Sequence, residues 1–185
     1  MIKKILNTPI LIGILVVGIG LNFLSISKVN AGWNHLVTGN EWESRNISYD
    51  IAGGFSSAQE SMIRDNTNSW DRQCTVNFDQ DWYSGNDWWI ESIDQLGLTT
   101  TSITTEGIIV KAVTRIDNDP AISSDYVPDS DEYSFSAIVA HEWGHWIRLK
   151  DDYSHSDALM YYSQGTGVRD ATPNSEDIEA CNYTY

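Results

Sequence analysis

Cations are scarce in this sequence. Eleven Lys and Arg stand against 26 Asp and Glu over 185 residues, for a formal net charge of −15. A chain so poor in Lys and Arg has little with which to neutralise phosphates, which excludes nucleic-acid binding. The same balance argues against attraction to an anionic membrane surface. Cysteine is almost absent, with Cys74 and Cys181 alone. No internal repeat or low-complexity tract is present, and 41% apolar residues with eight tryptophans are too many for a disordered chain. Size and composition fit one domain.

Long apolar runs are equally rare. Ile10 to Leu21 is twelve residues of apolar side chains and glycine, short of the roughly 20 that span a bilayer. Lys3 and Lys4 precede it, and Val29-Asn30-Ala31 offers small or apolar residues at −3 and −1 of a cut before Gly32. That layout predicts a secretory signal peptide over residues 1–31; the alternative is an uncleaved anchor over Ile5 to Leu24. Cleavage would remove three lysines and no acid, leaving a still more acidic protein, expected to be a secreted monomer without stable membrane association. In an exported chain the two cysteines suggest one disulfide, against two buried free thiols.

Residues 32–45 hold Trp33, His35 and Trp42 without a clear period and are a segment of uncertain role. Asn46 to Ile51 alternates and reads as a strand, and Ser57 to Glu60 has capping-box spacing ahead of a stripe of Ala58, Met62, Ile63 and Trp70. Thr75 to Phe78, Trp88 to Ile93 and, most clearly, Ile108 to Ile116 read as further strands. An acidic loop from Asp117 to Glu132 follows. Ser134 then caps a helix with Phe135, Ile138, Val139 and Trp146 on its apolar side, and Thr172-Pro173 opens a last helix. Strands first and helices later, without regular βαβ alternation, predict an α+β domain over 46–185.

The chemistry is concentrated in the second of these helices. His141-Glu142-Trp143-Gly144-His145 is an HExxH motif. Residues four apart share a helix face, so both imidazoles can reach one Zn²⁺, and Glu142 beside the first of them can act as a general base toward water. A catalytic zinc takes three protein ligands and keeps one position open. Asp151, Asp152, His155, Glu176 and Glu179 are the candidates for the third. Were the helix to continue past Leu149, Asp151 would lie six residues beyond His145, roughly 240° away around the axis. Asp151 can therefore join the histidines only if the chain turns just after residue 147.

His141 to Asp151 reads HEWGHWIRLKD and Ala158 to Tyr162 reads ALMYY. Together they resemble the metzincin metalloproteases, whose long motif HExxHxxGxxH/D is followed by a methionine turn. The ALMY segment is similar to that of matrixins. An aspartate as third ligand, followed by Tyr153, is similar to the small secreted snapalysin-type peptidases. The resemblance implies His141, His145 and Asp151 as zinc ligands, Glu142 as general base and Met160 as the floor beneath the metal. It also implies an active-site helix, a long helix and a C-terminal helix around a small twisted sheet. Tyr162, two residues after Met160, matches a tyrosine of astacins and serralysins that approaches the zinc. By that analogy it is a catalytic candidate as oxyanion donor; otherwise it packs in the pocket wall.

Two features depart from the pattern. Arg148 stands where the clan has its turn glycine, and His155-Ser156 is similar to the matrixin third histidine and serine but displaced by four residues. No cysteine-switch segment precedes the domain. Structural Ca²⁺ is implied by the family, and Asp117 to Glu132 supplies oxygen donors, though without EF-hand spacing; a solvated acidic loop is the alternative. The expectation is a secreted zinc endopeptidase acting on a peptide or protein substrate. A non-proteolytic zinc-binding or toxin-like module on the same scaffold is the alternative, and a zinc amidase acting on cell-wall peptides a third reading.

Overall fold

The computed structural model describes residues 37–125, 128–163, 165–167 and 170–185. The expected signal peptide, Trp33 and His35 lie outside the described residues. Among the described residues, eight strands and three helices follow in the order β1 (Glu41–Trp42), β2 (Asn46–Ile51), α1 (Ser57–Asp71), β3 (Asn77–Gln80), β4 (Asp87–Glu91), β5 (Gly97–Ile103), β6 (Ile108–Asp117), β7 (Ile122–Ser123), β8 (Tyr133–Ser134), α2 (Phe135–Trp146) and α3 (Ser175–Thr184). The sheet is mostly parallel: β3 pairs with β2, β2 with β4, and β4 with β6. β5 runs antiparallel to β6, with Thr99 opposite Thr114. On the other side of β6, β1 adds a short parallel pairing at Ile108 and Ile109. The chain is thus a mixed α/β structure compatible with the α+β expectation. A βαβ crossover, β2–α1–β3, uses the long helix to join two parallel strands.

β2 alternates as its sequence suggests, with Ile47, Tyr49 and Ile51 buried and the intervening residues outward. α1 presents Met62, Ile63 and Trp70 to the interior. α1 and α2 are joined by reciprocal indole bonds, Trp70 Nε1 donating to the Ala140 carbonyl at 2.9 Å and Trp143 Nε1 to the Ile63 carbonyl at 3.1 Å. Those bonds satisfy the indole N–H groups that burial would otherwise strand. Trp143 lies at the centre of the core, its ring 4.4 Å from Phe78, 4.7 Å from Trp88 and Trp146, and 4.9 Å from Tyr49. Trp70, Trp88, Trp143 and Trp146 are all fully buried in the core, whereas Trp82 and Trp89 are exposed. Cys74, just beyond α1, is bonded to Cys181 of α3. The link spans 107 residues, for which chain entropy gives about 4–5 kcal/mol.

Several boundaries differ from the sequence expectation. The first helix is capped one residue earlier, by Ser56, whose hydroxyl accepts from Gln59 N while the Gln59 side chain accepts from Ser56 N. The last helix begins after Asn174 rather than at Pro173, because Asn174 and Asp177 form their own capping box. β3 and β4 lie at 77–80 and 87–91, displaced by one or two residues from the expected 75–78 and 88–93. β5 was not expected at all. Residues 37–45, which show no period, nonetheless pack on the domain: Val37 bridges to Leu149, and Trp42 Nε1 donates to the Trp146 carbonyl at 2.6 Å.

Candidate metal centre

α2 is started by Ser134, whose hydroxyl accepts from Ala137 N at 3.2 Å, and it places His141 and His145 one turn apart with ring centroids 4.8 Å apart. Trp146 is the last helical residue. Ile147 N donates to the Gly144 carbonyl at 3.2 Å, and Arg148 adopts φ 81°, the left-handed conformation that a glycine adopts freely. The chain therefore makes the turn that Asp151 requires, and it does so with an arginine. Strain of about 1 kcal/mol or more accompanies that choice. The Arg148 side chain is buried, with Nη1 3.6 Å from Glu41 Oε2, and Thr38 N straps the turn by donating to the Arg148 carbonyl.

Beyond the turn, Asp151 Oδ1 lies 3.1 Å from His141 Nε2 and 3.6 Å from His145 Nε2. One ligand atom from each of the three residues falls within 4.8 Å of the other two, and among the described residues this is the group of His, Cys, Asp and Glu side chains able to hold a metal. Backbone carbonyls orient the rings. His141 Nδ1 meets the Leu159 carbonyl at 2.9 Å and His145 Nδ1 the Leu149 carbonyl at 2.8 Å. With the Nδ1 protons donated there, both neutral rings turn an Nε2 lone pair toward one carboxylate oxygen, an arrangement of three acceptors that suits a cation between them. Without a cation between them, a proton shared by His141 Nε2 and Asp151 Oδ1 takes that place. The Asp151 pKa is lowered, first by the bond with His141 and against the opposing effect of burial. Burial acts to lower His141, but Asp151, Glu142 and the Leu159 carbonyl outweigh it and the net shift is upward.

Asp152 and His155 are brought together with each other and not with that group. His155 Nδ1 is 2.7 Å from Asp152 Oδ2, and Asp152 Oδ1 accepts from Ser154 N and His155 N. Glu176 is held by Asn174 Nδ2 at the start of α3, and Glu179 is exposed on the same helix. Of the five candidates for the third position, Asp151 is the one the fold sets beside both histidines. Within the described part of Asp117 to Glu132 the carboxylates do not converge on a common point; Asp117, Asp119 and Glu132 accept instead from backbone N–H groups of Ile93, Ala121 and Asp129.

Glu142 is buried at 4% exposure, and Thr99 Oγ1 donates to its Oε2 at 2.6 Å. It faces a cleft of about 400 Å³ bounded by Gly97 and Thr99 on one side and His141, His145, Asp151 and Tyr162 on the other. Tyr162 is half exposed there, its ring stacked 4.8 Å from that of Tyr153. Met160 is buried under α2, with its sulfur against Gly144. A Cβ at position 144 would collide with that sulfur and stand 3.0 Å from Met160 Cε and 3.1 Å from Trp70 Cζ2, so a larger residue at this wildcard of the motif would force Met160 to shift. The methionine segment is fixed by Asp177, whose carboxylate accepts from Leu159 N at 2.8 Å, Met160 N at 3.2 Å and Asn174 N at 2.9 Å. Burial pushes the Asp177 carboxyl up, and these three bonds oppose the rise.

Gly97, Thr99 and Asp177 were not anticipated as site residues. The β-branched run Thr99 to Thr101 was the signal for the first two, and the Asn174-x-x-Asp177 spacing that for the third. No protein-family model matches the chain, and no curated protein matches it.

Proposed function

We propose that this protein is a secreted zinc endopeptidase of metzincin type. The observation that carries the reading is the convergence of His141 Nε2, His145 Nε2 and Asp151 Oδ1 beside a buried Glu142 at the floor of an open cleft. Two imidazoles and one carboxylate form a donor set suited to zinc, with three protein ligands and room for a fourth. A zinc ion held there would supply Lewis acidity, lowering the pKa of water and polarising a carbonyl.

Glu142 takes the proton of the attacking water on its carboxylate and passes it to the departing amine. β5 pairs with β6 on one side, and among the described residues its other edge is unpaired. That edge suits an extended peptide added as a further strand, with its carbonyls led past Glu142. Tyr162 on the opposite wall is the candidate donor to the developing oxyanion, in competition with its stacking on Tyr153. Secretion accords with the disulfide, and among the described residues no helix is long and apolar enough to cross a membrane.

The test is Glu142→Ala assayed on a broad peptide library with metal content measured in parallel. We expect kcat to fall by about 10²–10⁴-fold while one zinc per chain is retained. Undiminished hydrolysis by the pure variant would overturn the mechanism. Absence of turnover in the zinc-loaded wild type would favour the binding-module reading instead.

A further inference from the structure

We propose that Thr99 is a positioning residue for Glu142, the last member of a hydrogen-bonded chain that begins at an indole in the core. The proposal rests on the reading of Glu142 as general base. Trp146 Nε1 donates to Thr114 Oγ1 at 2.7 Å, Thr114 Oγ1 and Thr99 Oγ1 are 2.6 Å apart, and Thr99 Oγ1 is 2.6 Å from Glu142 Oε2. Chemistry settles the direction of every bond. An indole N–H only donates and an ionised carboxylate only accepts, so Thr114 receives the indole proton and gives its own to Thr99. Thr99 in turn gives its proton to Glu142. The Glu142 carbonyl lies 3.5 Å from the same hydroxyl, at the limit of hydrogen bonding, and the single proton goes to the shorter contact.

The fold explains why the chain closes. Glu142 and Trp146 are four residues apart and share one face of α2. Thr99 and Thr114 are directly opposed across the β5–β6 ladder, so the cross-strand pair spans the gap between the two side chains of one helical turn. Thr114 and Trp146 are fully buried, so water does not compete at the inner end, and each donor polarises the next. Gly97 completes the seat, since a Cβ there would stand 2.6 Å from Glu142 Oε1. Oε2 is therefore pinned by a directed donor. Oε1, which accepts no hydrogen bond among the described residues, is the oxygen left for water and substrate.

Thr99→Val keeps the shape and the strand preference of the side chain but removes the hydroxyl; Thr99→Ser keeps the hydroxyl. We expect Thr99→Val to lower kcat by about 10-fold to 10²-fold, with KM within about twofold and Thr99→Ser recovering most of the loss. Metal content and melting temperature of the variants report any general damage. A second readout needs no turnover: the ¹³C carboxyl resonance of Glu142 in metal-free protein, assigned by its disappearance in Glu142→Ala, should shift in Thr99→Val and return in Thr99→Ser. Wild-type hydrolysis with neither kcat nor resonance altered in Thr99→Val overturns the positioning role and leaves the peptidase reading standing. A loss in Thr99→Ser equal to that in Thr99→Val also overturns it. A resonance that responds in a protein without any hydrolytic activity supports the hydrogen-bonded chain and removes the peptidase.

Discussion

Asp151 leaves its carboxylate in the cleft, 39% exposed and 3.1 Å from His141 Nε2. Asp152, the next residue, turns inward until it is 1% exposed and spends both oxygens on Ser154 N, His155 N and the His155 ring. Both pKa values are lowered, for different reasons. For Asp151 the main cause is the bond with His141. For Asp152 burial acts upward and is outweighed by the donors of residues 154 and 155. The backbone of Asp152 belongs to the same inner region, with its N–H on the Met160 carbonyl and its carbonyl receiving Tyr162 N. One aspartate is thus available to a ligand, while its neighbour braces the loop that carries the methionine turn. Residue type alone does not distinguish them; the turn at Arg148 does, by setting which of two successive side chains faces the histidines.

The largest expected effect comes from exchanging these roles by deletion. Asp151→Ala should weaken zinc binding by more than the about 10–100-fold that loss of a group behind the ligands costs, with the stability of metal-free protein little changed. Asp152→Ala should do the opposite. It strands buried N–H groups and a histidine, destabilising the metal-free fold by about 2–4 kcal/mol, while the folded fraction binds zinc within about tenfold of wild type. Titration calorimetry and urea unfolding on both variants measure the two quantities. The division of roles is wrong if Asp152→Ala is the variant that loses the metal.

The turn itself gives the next effect. Arg148→Ala removes the contact with Glu41 and the buried stem yet keeps a Cβ at φ 81°. Arg148→Gly removes the same contacts and relieves the left-handed strain. Gly should therefore be the more stable of the two by about 1 kcal/mol, with zinc affinity preserved in it. Equal unfolding free energies would mean that the strain is not expressed at this position.

Much of this was legible beforehand because it depends on local spacing. HExxH places two imidazoles on one helical face wherever that helix lies, and Ile108 to Ile116 could hardly be other than a strand. The need for a turn after residue 147 followed from helix geometry alone. What escaped depends on tertiary partners. β5 reads Gly-Leu-Thr-Thr-Thr-Ser-Ile, a mostly exposed edge strand with no apolar alternation, and its importance lies in what Thr99 meets across 43 residues. Asp177 looks like an ordinary capping residue until the methionine turn is laid against it. Residues 37–42 have no period because they are held by isolated contacts with Leu149, Arg148 and Trp146 and by a two-residue pairing with β6 rather than by a helix or a long strand.

The smallest effect sharpens the comparison from outside the site. Asp71, at the end of α1, is half-buried without a cation, and burial pushes its carboxyl from 3.8 up to about 6, against the bond from Phe78 N and with help from Asp79. Its direction is opposite to that of Asp151. Between these two values the native state holds a proton that the unfolded chain has lost, so Asp71 contributes stability below about pH 4 that disappears as pH rises through about 6. Asp71→Asn keeps an oxygen for Phe78 N and has no charge to bury. Its advantage over wild type should be absent at pH 3.5, grow between about pH 4 and 6, and stay level above that. Solvent screening at a half-buried site holds the plateau below about 1 kcal/mol. Subtracting the wild-type curve removes the contributions of Asp87 and Asp177, which also titrate upward. A difference that is flat with pH would mean that burial does not raise the Asp71 carboxyl, and one that favours wild type above pH 6 would mean that a partner holds it down as His141 does Asp151; either result ends the contrast between a carboxylate held by a partner and one merely buried.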